Sequence, residues 1–139
     1  MALRVEVSAG ELLDKITILE IKAERIGDPG KLDNVKRELG LLRDTWAASS
    51  LSHIDIAADV AALKRVNESL WDIEDRIRRC ESAQTFDDDF VRLARDVYRL
   101  NDERAAIKRR LNVKLNSKLV EEKSYPDYSS PERSDSEGG

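Results

Sequence analysis

The stretches LWDIEDRIRR (residues 70–79) and VYRLNDERAAIKRRL (residues 97–111) decide how this chain folds. In both, apolar residues recur every three or four positions, the period of one helix face. That period runs from about Val60 to Leu115 with one short break, which predicts a helical hairpin. Ile56, Val60, Leu63, Val66, Leu70, Ile73 and Ile77 form the stripe of its first arm, predicted from about Ile56 to Ser82. Phe86, Phe90, Leu93, Val97, Leu100, Ile107, Leu111 and Leu115 form the stripe of the second. Strong polar groups fall inside these arcs rather than opposite them. Asn67, Glu74 and Glu81 lie a heptad apart within the first, with Trp71 and Arg78 at its edge. Arg104 sits near the middle of the second, with Lys108 inside it and Asn101 at its edge. A polar seam between helices is the expectation. Antiparallel arms would set Asn67 near the level of Asn101, and Glu74 nearer Ala94 and Val97.

Working outward, Ser8 and Glu11 spell a capping box ahead of a first helix that runs to about Ile26. Gly27-Asp28-Pro29-Gly30 stops it. Leu12, Ile16, Leu19, Ala23 and Ile26 make one apolar stripe, while Ile18 and Ile21 lie on the other side. A helix apolar on two faces is either central to its bundle or shared with another subunit, and a homodimer is expected on that ground. Glu20 lies at the edge of the main stripe. The next helix, about Lys31 to Ala47, is plainly amphipathic, with Gly40 as its weak point. Ser52 or Asp55 can cap the hairpin's first arm, and Thr85 with Asp88 can box the start of its second. Ahead of everything, Leu3, Val5 and Val7 alternate with polar residues, predicting a short extended arm strapped onto the bundle.

Composition agrees. The chain has 139 residues, 37% of them charged and 5% aromatic, and favours helix formers throughout. It divides into one helical domain over residues 1–125 and a Ser- and acid-rich tail over 126–139, low in hydrophobics and expected to be disordered. A formal charge of −4 argues against non-specific nucleic-acid binding. One cysteine, Cys80, and one histidine, His53, argue against a disulfide or a Cys- or His-ligated metal. No bilayer-length apolar run or signal-peptide core is present, so a cytoplasmic protein with no metal or cofactor is expected.

An arginine inside an apolar stripe is costly to bury alone. One reading pairs Glu20 or Glu74 with Arg104 or Lys108 as a structural network that sets helix register. A second lets the long cationic side chains snorkel to water. The functional reading is an inter-helical pocket for a small anionic, phosphate- or nucleotide-type ligand. There Arg104, Lys108 and Arg78 would supply charge and Asn67 and Asn101 orientation, with Glu74 and Glu20 alongside and Trp71 or Tyr98 stacking on a ring. No phosphate-loop, dinucleotide-binding or nucleophile-elbow motif accompanies it, and no catalytic residue is assigned.

The blocks SAGELLDKITILEIKAERI, LWDIEDRIRR, NDERAAIKRRLN and LVEEKSY closely resemble a family of small bacterial and tailed-phage proteins of unknown function, over about residues 5–125. The resemblance implies a single domain working in bacterial cytoplasm or an infected host cell. ELLDKITILEIKAERI and LNDERAAIKRRL are also similar in type to the all-helical chorismate mutases, which hold a dicarboxylate between helices. That likeness implies an enzyme, but the cationic residues do not follow the mutase order. The expected architecture is an all-α antiparallel bundle of four main helices. The function expected first is ligand binding without catalysis. The alternatives are a protein-interaction scaffold with a purely structural seam, and a mutase-like enzyme.

Overall fold

A computed structural model describes residues 2–116, and those residues form four helices. They are α1 (Ala9–Arg25), α2 (Pro29–Ala48), α3 (Ala57–Ser82) and α4 (Asp88–Lys114). The tail expected to be disordered lies outside the described residues.

Each boundary has a local cause. Ser8 caps α1 by accepting from the Glu11 amide at 3.1 Å. Asp28 caps α2 through the Lys31 amide at 2.9 Å, and Pro29 follows in the first helical turn, where a missing N–H costs nothing. At the head of α3, Asp55 accepts from the Ala57 amide at 3.1 Å. α3 ends when Gln84 turns into the left-handed region at φ 53°, which lets the Thr85 amide return to the Cys80 carbonyl at 2.9 Å. The cap of α4 is Asp87, bonded to the Phe90 amide at 3.2 Å, and not Thr85. Thr85 still belongs to that returning turn.

α3 and α4 pack side by side as the antiparallel hairpin, and α1 lies against α2, α3 and α4 together. Most of both apolar faces of α1 is therefore covered within one chain, with Ile18 left half-buried. Leu13, Ile16, Leu19 and Ile21 are all buried, and the first three belong to a core that includes Leu63, Val66, Leu70, Ile107 and Leu111. Burial of an aliphatic side chain of this size contributes about 1.5–3 kcal/mol. α2 is attached differently. It packs on α1 and on no other helix, and Leu39 is its one fully buried residue.

Residues 2–7 are not strapped down as expected. Leu3 is 85% and Val5 79% exposed, so the alternation there does not mark a face packed on the bundle.

The hairpin outreaches α1. At roughly 1.5 Å per residue, α1 spans about 25 Å and α3 and α4 about 40 Å each. Residues 81–89, at its turn, are all exposed.

Candidate functional site

The polar seam exists, and its centre is a residue the sequence reading passed over. Asp14 on α1 is fully buried. Its carboxylate accepts from Arg104 Nε at 2.9 Å and Arg104 Nη2 at 2.5 Å, a bidentate clamp. Asn67 Nδ2 from α3 donates to the same carboxylate at 2.9 Å and to Thr17 Oγ1 at 2.9 Å. The Thr17 hydroxyl in turn donates to the Asp14 carbonyl at 2.7 Å. One aspartate thus ties α1 to both arms of the hairpin. A buried charge demands this, since an unpaired carboxylate in an apolar interior costs several kcal/mol.

A second layer lies one turn nearer the start of α1. Lys108 is buried, and its ammonium reaches Glu11 Oε2 at 2.7 Å. Glu11 therefore does not reach back to complete the capping box; it bridges to α4 instead. Beside it, the Gly10 amide donates to Asn112 Oδ1 at 2.7 Å. A Cβ on Gly10 would lie 2.7 Å from the Lys108 carbonyl oxygen and 3.0 Å from Asn112 Oδ1. Glycine is what lets the two helices approach this closely. Asn112 Nδ2 is buried with no partner among the described residues.

The expected pairings are corrected accordingly. Arg104 and Lys108 are held by Asp14 and Glu11, not by Glu20 or Glu74. Glu20 points to the other side of α1, where it pairs with Arg43 at 2.8 Å. Glu74 lies 3.8 Å from Arg78 one turn along α3, an exposed contact of small energetic weight. Snorkelling does not describe Lys108, whose side chain is only 6% exposed.

Beyond the clamp, a groove of about 160 Å³ runs between α1, α3 and α4. It gathers Arg104, Asn67, Asn101, Trp71 and Glu74 over an apolar bed of Ile18, Ile21 and Leu70. Lys108, Arg78, Tyr98 and Glu20 do not line it. Two features limit its chemistry. The Arg104 charge is met by Asp14 beneath it, and Glu74 adds a negative charge at the rim, so the groove carries no excess of cations. The Trp71 ring already has the Arg25 guanidinium 5.8 Å from its centroid, and Arg25 also bonds Asp72 at 2.6 Å.

Away from the seam, two ion clusters bind helix to helix. Asp59 near the start of α3 accepts from Lys114 at 2.9 Å and from Arg110 at 3.4 Å. The Lys114 hydrogen bond and both positive charges outweigh partial burial and hold the carboxyl below its ordinary 3.8. Lys64 on α3 pairs with Glu24 at 3.0 Å and lies 3.9 Å from Glu20. The Glu24 hydrogen bond, aided by the charges of Glu20, Glu24 and Glu68, holds its ammonium above 10.5. Among the described residues no three His, Cys, Asp or Glu side chains converge as metal ligands. No helix among them is long and apolar enough to cross a membrane.

The missed residues carried one faint signal. Gly10, Asp14, Thr17 and Ile21 fall on one face at helical spacing, the face that Ile18 and Ile21 had marked as covered. A carboxylate on a covered face needs a cation, and Arg104 was waiting for one.

The chain belongs to a family of unknown function, DUF6165, whose model matches residues 3–138. The blocks quoted from its helices and from LVEEKSY all fall within that match. No curated protein and no solved structure matches it.

Proposed function

We propose that this protein is a non-catalytic interaction module of the cytoplasm, a helical body braced by its seam that offers the outer half of the α3–α4 hairpin to a protein partner. The observation that carries this reading is in the hairpin's turn and the first half of α4. Phe86, just ahead of α4, and Val91 and Tyr98, in its first half, are 51%, 52% and 65% exposed. Single apolar residues are ordinary on a surface, but three large ones along the outer half of one hairpin offer a contact surface. Phe86 is also set edge-on against Phe90 at 5.1 Å, a ready aromatic anchor.

The seam is bracing in this reading, because its carboxylates and cations answer one another inside the fold. Binding of a phosphate-type ligand in the seam groove draws less support, since Glu74 and Asp14 offset Arg104 there. The mutase-like reading is weakened further, because Arg104 and Lys108 are turned onto Asp14 and Glu11.

The test is a photo-crosslinking residue placed at Val91 or Tyr98 of the full chain in its own cells, with Lys31 on α2 as the control position. A discrete adduct at 91 or 98, absent at 31, supports the proposal. One of twice the chain mass would identify the partner as a second copy, the homodimer that the sequence suggested. No adduct, or the same ladder at all three positions, overturns it.

A further inference from the structure

Because α2 leans on α1 alone, a trough of about 430 Å³ opens along its flank, with α1 as floor and α2 and α3 as walls. That volume lies within the range of small-molecule sites. Gly40 is part of its lining. It stands inside the 20-residue α2, where glycine costs about 1 kcal/mol relative to alanine. Its φ is not positive, and a Cβ there would meet nothing within 4 Å. Neither backbone conformation nor close packing requires a glycine at this position.

Cations stand around that space. Lys36 and Arg43 precede and follow Gly40 by about one turn on the same flank of α2, and Lys64 faces them from α3. Arg43 is paired with Glu20, and Lys64 with Glu24. Three cations against two carboxylates leave one positive charge unmatched in the lining. Lys36 is that cation: it makes no ion pair among the described residues, while its two neighbours do. Leu39 and Ala23 supply an apolar base.

We propose that this trough binds a small organic anion of single negative charge and apolar body. Its acidic oxygens would lie between Lys36 and Arg43, and its body would rest on Leu39 and Ala23 in the space above Gly40. Exposed cations alone bind weakly, so the apolar contact is needed for affinity. The site is on a different face of α1 from the seam groove, and it does not depend on the hairpin's partner.

The experiment titrates the full chain with anilinonaphthalene sulfonate, a monoanion with an aromatic body, and in parallel with N-phenyl-naphthylamine, its uncharged counterpart. The expected result is saturable binding of the sulfonate that is weakened about tenfold in Lys36→Glu and lost in Gly40→Leu. The folded circular dichroism spectrum of Gly40→Leu is retained, and the uncharged dye binds far more weakly. Sulfonate binding that survives Gly40→Leu, equal binding of the two dyes, or no saturable binding to the native chain each overturns the proposal. Should Gly40→Leu not fold, Lys36→Glu decides: unchanged affinity in that variant also overturns it.

Discussion

Asp14 and Arg104 meet across 90 residues of chain, with both carboxylate oxygens accepting from one guanidinium. The aspartate is wholly buried while the arginine side chain keeps 29% of its surface, so the two are unequal partners. Removing the arginine leaves the buried charge with Asn67 alone; removing both leaves the Asn67 amide bonded only to Thr17.

Arg104→Met should therefore cost about 3 kcal/mol in urea unfolding, the lower end for breaking a buried pair, because Arg104 is partly hydrated. The double variant Asp14→Leu with Arg104→Met should recover part of that loss, the remainder being the Asn67 donor left without its carboxylate. A single variant costing less than about 1 kcal/mol would mean that the pair is not a brace.

Gly10→Ala adds one methyl group where the Lys108 carbonyl is 2.7 Å away. Both obstacles belong to α4, one of them backbone, so α1 and α4 must separate. The Gly10–Asn112 hydrogen bond should weaken as they do. A destabilisation of about 2–3 kcal/mol is expected by thermal or chemical unfolding, against almost none for Gly27→Ala, whose surroundings are open. Equal melting temperatures for the two variants would contradict the close approach.

The charged clusters at Asp59 and Lys64 predict opposite pH dependences. Asp59 has a lowered pKa, so its contribution is present above 3.8 and is lost as the pH falls through its folded value. Lys64 has a raised pKa, so its contribution is full below 10.5 and is lost as the pH rises through its folded value. Asp59→Asn should flatten the acid arm of the stability profile alone, and Lys64→Met the alkaline arm alone. A profile whose arms are unchanged by both substitutions would show that neither pair is linked to folding.

The hairpin was legible from residues 56 to 115 because helical periodicity is a local property, and so was the cap at Ser8; at α3 the N-cap is Ile56, and Asp55, one of two candidates with Ser52, only accepts from the Ala57 amide ahead of it. The seam was legible in part. Asn67, Arg104 and Lys108 stood inside apolar arcs and are indeed drawn into the interior, Arg104 incompletely. Their partners were not legible, because pairing depends on which face of α1 meets α4. Asp14, flanked by Leu13 and Lys15, reads like an ordinary surface charge until a third helix covers it. The same blindness produced the opposite error at Leu3 and Val5. Alternation records a strand-like period and says nothing about whether a surface exists to receive it.

The clamp also sets the order in which the molecule can be completed. α1 leaves the ribosome before the three helices it packs against, and α1 with α2 could pair as soon as both are made. Yet Asp14 and Thr17 wait for Asn67, Asp14 again for Arg104, and Gly10 for an acceptor 102 residues further on. Until α4 emerges, the inner face of α1 holds a carboxylate that no apolar surface can accept, which keeps the early helix pair hydrated and uncommitted. Of the four helices, α1 is thereby made before the others and locked in place only when α4, the last of them, arrives.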